Sequence, residues 1–176
     1  MPRAASARNA VAVDVIVEHA AWRRAIADPV PLLRRAAAAA LSVVRRDQRR
    51  KRAGSIAVAV ALIDDRAMQK LNRTYRGKDK PTNVLSFPAA EAEDAPRGRA
   101  RRRPIGDVAI AYGTVRREAE AQGKSLADHL AHLMVHAVLH LLGYDHETDL
   151  EADEMEALER EALAALGIAD PYTRRK

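Results

Sequence analysis

Between His136 and His146 the chain reads His-Ala-Val-Leu-His-Leu-Leu-Gly-Tyr-Asp-His, and this stretch limits the possible folds more than any other. Two histidines four residues apart inside an apolar run leave the same face of a helix, with Cβ atoms roughly 5–6 Å apart. At that separation two ring nitrogens can reach one metal ion at about 2.0–2.1 Å. Gly143 follows three residues later and is a natural helix stop. The chain can then turn back and carry His146 towards the same point. Three imidazoles without a fourth protein ligand leave a position open for water, the pattern of a catalytic rather than a structural zinc.

A blander reading competes: a helix can carry several histidines on one polar face, bound to nothing. His132 and His129 lie one and two turns upstream of the glycine-terminated pair and make the choice of ligands less obvious. His132, His136 and His140 cannot share one ion on a straight helix, because residues i and i+8 are about 12 Å apart. Only the pair followed by the glycine turn has a third ligand within reach, so the candidate metal ligands are His136, His140 and His146.

The chain has 176 residues and 48% apolar composition, enough for one domain with a sizeable core. No cysteine is present, which removes a disulfide framework, a thiolate zinc site and a cysteine nucleophile, and fits a reducing compartment. The longest apolar run, Ala36 to Val44, falls far short of the roughly 20 residues that span a bilayer. The opening residues carry no apolar signal-peptide core. The expectation is a cytoplasmic protein with no membrane partner.

Net charge is +6, and its distribution matters more than its size. Basic clusters occur at Arg45-Arg46, Arg49 to Arg52, Arg97 to Arg103 and Arg174 to Lys176, whereas acids gather after the histidines, from Glu147 to Glu161. A basic surface beside a metal site favours a polyanion such as nucleic acid, although most such runs are merely solvated faces.

In chain order, Ala10 to Val17 reads as a first strand. Pro29 and Pro31 mark the start of an alanine-rich helix over Leu32 to Asp47. Arg49 to Gly54 is a basic connector, and Ser55 to Ile63 an uncharged second strand of central type. Asp64-Asp65 begins a helix to about Tyr75, the acids suiting its positive end. Val84 to Phe87 is a short strand ended by Pro88, and 89–104 a mobile basic loop. Ile105 to Tyr112 is a further strand and Thr114 to Gln122 a helix stopped by Gly123. Ser125 caps the histidine helix, with Asp128 at the capping-box position. Asp149 to Leu166 is the last helix, with Leu150, Met155, Leu158, Leu163 and Leu166 facing the core. The whole predicts a single α+β domain over 1–176, with residues 1–9 and 173–176 flexible. A mixed, roughly four-stranded sheet would be packed with about five helices, the histidine helix central and most buried.

Chemistry beyond the histidines is limited. In the protease motif His-Glu-x-x-His the Glu is the general base, and here that position is Ala137. A metal could still activate water by lowering its pKa to about 7; Asp145 or Glu147 could accept the proton, although both read more simply as turn residues. Arg76 offers a planar guanidinium able to pair with two phosphate oxygens as charge builds. Lys78 and Lys80 add point charges for a phosphate backbone and are candidate RNA-binding residues. Taken alone, Arg76 also reads as an ordinary exposed loop residue.

Two motifs together resemble the YbeY family of endoribonucleases, also called rRNA maturation factors. One is Tyr75-Arg76-Gly77-Lys78-Asp79-Lys80-Pro81-Thr82-Asn83-Val84-Leu85-Ser86-Phe87-Pro88, the other the stretch from His136 to His146. Gly106-Asp107 and the terminal Asp170-Pro171-Tyr172 also fit, so the likeness runs from about Val11 to Tyr172. The resemblance implies a single α+β domain with one zinc ion (or another divalent metal) held by His136, His140 and His146, and with Arg76 the functional, catalytic arginine facing it. It implies cleavage of single-stranded RNA, maturation of ribosomal RNA ends including the 3′ end of 16S rRNA, ribosome quality control, and the small ribosomal subunit as partner. The chain departs from the family in having Ala137 where glycine usually follows the first metal histidine, a change of one methyl. The 97–103 run is also longer and more basic than expected for that loop. Two other functions stay open on the residues alone: a zinc peptidase or amidase, disfavoured by the missing Glu, and a non-catalytic rRNA-binding assembly factor with the same metal ligands.

Overall fold

Both faces of a four-stranded sheet are used, and the side chains of the two inner strands explain why. The computed structural model describes residues 11–46, 55–90 and 102–173. Its elements are β1 (Val11–Val17), α1 (Ala21–Ala25), α2 (Pro29–Arg46), β2 (Ile56–Ile63), α3 (Asp65–Arg76), β3 (Val84–Pro88), β4 (Arg103–Ala111), α4 (Tyr112–Gln122), α5 (Leu126–Leu141) and α6 (Asp149–Ala165). The sheet order is β1-β2-β4-β3. β1 and β4 run parallel to β2, whereas β3 is antiparallel to β4.

Successive strand residues point to opposite faces. On β2, Ile56, Val58, Val60 and Leu62 enter the larger core with Leu33, Leu41, Met134, Leu139 and Leu163 from the helices. On the other face small residues prevail: Ala61 on β2 and Ala109 and Ala111 on β4 meet Met68 of α3, with Ile63 and Leu85. Alanines there let α3 lie close to the sheet. α2 and α6 pack with α5, which also touches α4, β3 and β4. The described residues therefore form one α+β domain with a mixed four-stranded sheet, as expected, though with six helices rather than five.

Several boundaries moved. α2 starts at Pro29, one turn before Leu32. β4 starts at Arg103, so the end of the expected 89–104 loop is strand, hydrogen-bonded through Arg103 N to Ser55 O at 2.9 Å. The five-residue α1 is too short to show periodicity. It buries Trp22 completely, with the indole N–H donating to Ile63 O at 3.1 Å. Leu150, expected in the core, is 79% exposed. It lies five residues before the buried Met155, which at about 100° per residue turns it roughly 140° away from that stripe. Residues 1–9 and 174–176 of the expected flexible termini, the Arg49 to Gly54 connector and residues 91–101 lie outside the described residues. No helix among the described residues is long and apolar enough to cross a membrane.

Two helix ends converge on one end of the sheet. Tyr75, in the last turn of α3, meets Phe87 edge-on at 5.0 Å between ring centroids, and Phe87 pairs with Asp107. Gly106, next to it, has φ 144°, and a Cβ there would lie 2.2 Å from Phe87 O and 2.9 Å from Leu141 Cδ2 at the end of α5. The register slips by one residue at this point, leaving Ile105 unpaired between Pro104 and Gly106. So α3 ends on one face, α5 on the other, and both end near Gly106.

Candidate metal centre

α5 begins and ends as its sequence dictates. Ser125 caps it, the hydroxyl accepting from Asp128 N at 3.0 Å. At the other end Gly143 N donates to His140 O at 2.9 Å and Tyr144 N to Leu139 O at 3.1 Å. That pair of bonds, with Gly143 at φ 94°, is the Schellman turn in which glycine relieves the steric cost of a positive φ. Tyr144 is buried beside it. The turn reverses the chain and sets His146 next to the end of the helix.

Four histidines line one side of α5, and exposure sorts them. Side-chain exposure rises from 4% at His129 to 16% at His132 and 31% at His136, and reaches 58% at His146 beyond the turn. The two driest are tied to carboxylates. His129 Nε2 bonds Glu118 Oε2 at 2.8 Å, and Glu118 also accepts from Asn83 Nδ2 at 3.0 Å. Burial holds the His129 pKa below the usual value, outweighing the pull of Glu118 in the other direction. His132 Nε2 bonds Glu159 Oε2 at 3.0 Å.

Glu159 is the residue that sequence reasoning missed. It is 1% exposed in the middle of α6, and receives His136 Nδ1 at 2.6 Å as well as the hydroxyl of Tyr172. Burial alone would raise its pKa, but the donors from His132, His136 and Tyr172 more than offset this and hold it at about 2. Burial and the Glu159 carboxylate together push the Tyr172 phenol up. The signal was present in the sequence. Glu159 lies four residues from both Met155 and Leu163, which are buried, so it sits on the apolar stripe rather than on the solvated acidic face.

The remaining imidazoles gather at the turn. The ring of His146 is 5.6 Å from that of His136 and 6.3 Å from that of His140, centroid to centroid. Ligand atoms of His140, Asp145 and His146 lie within 4.8 Å of one another. That tighter group includes Asp145 and omits His136, although the ring of His136 is the nearer of the two to His146. The two distances differ because one follows single donor atoms and the other whole rings; His146 Nδ1 lies 3.7 Å from Asp145 Oδ1. Asp145 Oδ1 already accepts the His146 amide at 2.8 Å, so the carboxylate both shapes the turn and lies among the donors. Nδ1 of His140 is buried with no hydrogen-bond partner among the described residues, as are Nδ1 of His129 and of His132, so this feature does not single out a ligand. Nitrogen donors with one carboxylate and no thiolate suit zinc and other borderline divalent ions, so the residues present fit such an ion.

Arg76 is the last residue of α3, exposed, with no hydrogen bond or ion pair among the described residues. No hydrogen bond or ion pair among the described residues links its side chain to the histidine group. Its link to the site is the shared end of the sheet at Gly106. Gly77 caps α3 at φ 66°. The loop beyond is pinned by buried Asn72, whose Nδ2 donates to Lys80 O at 2.7 Å, and by Gln69 Nε2 to Asp79 Oδ1 at 3.1 Å. Lys78 and Lys80 are held out in solvent beside Arg76. The structure also pairs Tyr75, 65% exposed, with Phe87; twelve residues apart in sequence, they gave no sign of a contact.

Comparison with known proteins comes to the same place. A family model described as Endoribonuclease YbeY matches residues 29–167. A protein named Endoribonuclease YbeY from Rhodopseudomonas palustris is 50% identical over 159 residues, covering 90% of this chain and 80% of its own length. Its namesake from Paramagnetospirillum magneticum is 50% identical over 162 residues, covering 92% and 94%, and that from Parvibaculum lavamentivorans is 48% identical over 97% of this chain and 91% of its own. Among solved structures, a Thermotoga maritima protein determined in solution has a TM-score of 0.53 at 23% identity, with 92% and 99% of the chains covered. That last likeness speaks to the fold alone.

Proposed function

The chain belongs to the YbeY family of endoribonucleases, and from that membership we propose that it is a metal-dependent endoribonuclease cleaving single-stranded RNA. The observation that carries the reading is the gathering of His136, His140 and His146 around the Gly143 turn at the open end of α5, with Asp145 among them. These three histidines would hold one zinc ion or a similar divalent ion. Such an ion supplies Lewis acidity and lowers the pKa of a bound water towards about 7.

The chain's own residues do the rest. Arg76, free of other partners among the described residues, is the group for the scissile phosphate. Its planar fork can pair with two non-bridging oxygens and gains strength as negative charge builds there. Lys78 and Lys80 hold the neighbouring backbone phosphates. Asp145, beside His146, is placed to take a proton. No Glu occupies the position after His136, so the peptidase reading lacks its proton acceptor. In the cell we assign the enzyme to ribosomal RNA end maturation, including the 3′ end of 16S rRNA, and to ribosome quality control on the small subunit in the cytoplasm. The two sequence motifs and the basic charge support that assignment.

Metal analysis of the purified protein beside cleavage assays on single-stranded RNA, structured RNA and peptides tests the reading. The expected result is one divalent ion per chain and cleavage of single-stranded RNA only, both lost in His140→Ala and kept in His132→Ala. Tight RNA binding without cleavage by metal-replete protein would support the assembly-factor alternative instead.

A further inference from the structure

The Asp170-Pro171-Tyr172 segment is built in with some care. Asp170 Oδ1 accepts Tyr172 N at 2.8 Å, and Asp170 Oδ2 lies 3.4 Å from Arg160 Nε. The Arg160 guanidinium carbon sits 5.0 Å from the centre of the Tyr172 ring, within cation–π range. The ring also meets His132 edge-on at 5.8 Å. With these contacts on its ring, Tyr172 donates its hydroxyl to Glu159.

Glu159 then has no freedom. It accepts from Tyr172, from His132 at 3.0 Å and from His136 at 2.6 Å, in a position 1% exposed. An ionised carboxylate only accepts, so the nitrogens that face it must carry hydrogen: Nε2 of His132 and Nδ1 of His136. A neutral imidazole has one N–H and one lone pair. On His136 the lone pair therefore falls on Nε2, the nitrogen turned away from Glu159.

We propose that Tyr172 and Glu159 form a positioning relay that locks His136 in its Nδ1–H tautomer, leaving Nε2 as the lone pair offered to the ligand site. His132 is the structural arm of the same relay and not a ligand. Tyr172 acts through Glu159, and Glu159 through His136; neither touches substrate. The inference rests on the metal-centre reading only for its consequence, which is tighter ion binding. A carboxylate on the far nitrogen fixes the orientation of a ligating histidine and raises its basicity, and losing one costs typically 10–100-fold in metal affinity.

The test has two readouts on the full chain. The first is the ¹⁵N spectrum of histidine side chains in metal-free protein at about pH 8, above an ordinary histidine pKa of roughly 6.5. Wild type should show His136 protonated on Nδ1. Glu159→Gln should shift it to a mixture of tautomers, and Tyr172→Phe, which keeps the ring and removes only the donor, should shift it less. The second is zinc affinity by chelator competition, expected to fall roughly 10–100-fold in Glu159→Gln and by a smaller factor in Tyr172→Phe. If Glu159→Gln fails to fold, Tyr172→Phe decides. A folded variant with the wild-type tautomer and wild-type affinity overturns the relay. A wild-type protein that binds no zinc through these histidines overturns the metal-centre reading, while the tautomer measurement still decides whether the relay exists.

Discussion

Arg76 leaves the last turn of α3 exposed and unpaired among the described residues, near the sheet end where α5 also stops. If its part is to stabilise charge that develops on the phosphate, the effect belongs to the transition state more than to binding. Arg76→Ala should then slow single-turnover cleavage at saturating RNA by roughly 10²–10³, about 2.7–4 kcal/mol, with metal content and melting temperature unchanged. Arg76→Lys should restore only part, because an ammonium lacks the planar fork. Weak RNA binding with normal single-turnover cleavage would instead make Arg76 a plain backbone contact. At the same scale, His136→Ala and His146→Ala should each lose most of the ion by elemental analysis, whereas His129→Ala should keep it, since its ring is committed to Glu118.

Elements carry the site through their ends. Gly106 lies where β4 slips register and α5 finishes, and a methyl there meets the Phe87 carbonyl first and then the Leu141 side chain. Gly106→Ala should destabilise the fold by about 1–3 kcal/mol, read by denaturant unfolding, and should disturb α5 at Leu141. α6 starts at a capping box: Thr148 Oγ1 accepts Glu151 N at 3.3 Å and Glu151 accepts Thr148 N at 3.0 Å. The histidine helix, its serine cap and its glycine stop were plain in the sequence, because each is set by residues within one turn of one another. What sequence could not show was pairing across elements. Tyr75 with Phe87, Asn72 with Lys80 and Glu159 with Tyr172 are each decided by how helices settle on the sheet. Glu159 was half visible, on the stripe between Met155 and Leu163, but it stood among seven other acids between Glu147 and Glu161 that hid its inward aim. The short α1 and the early start of β4 were lost for the same reason: five residues carry no period, and Arg103-Pro104 reads as loop until Ser55 is beside it.

For the whole molecule, charge and burial set how it answers to its solution. With a net charge of +6, binding to single-stranded RNA should weaken steeply across a salt series, and Lys78→Ala or Lys80→Ala should each reduce the log–log slope by about 0.7. A flat response would remove the electrostatic argument. Acid should loosen the fold through His129. Its folded pKa is lowered by burial, so the unfolded chain takes up a proton near 6.5 while the folded chain does not. The stability it contributes is whole above about pH 6.5 and is lost as pH falls from there towards the folded value. Melting curves of metal-free protein should show that slope, and His129→Gln should flatten it. The gradient of exposure along the histidines, from 4% at His129 to 58% at His146, has a consequence in time rather than in affinity. One donor rides on a turn at the surface while its partners stand on a helix packed on several sides. An ion held between them would be released by the turn peeling away first, at a rate set by local opening of four residues and not by unfolding of the domain. Exchange would then be quicker than unfolding, and the enzyme could be emptied or refilled without leaving its native state.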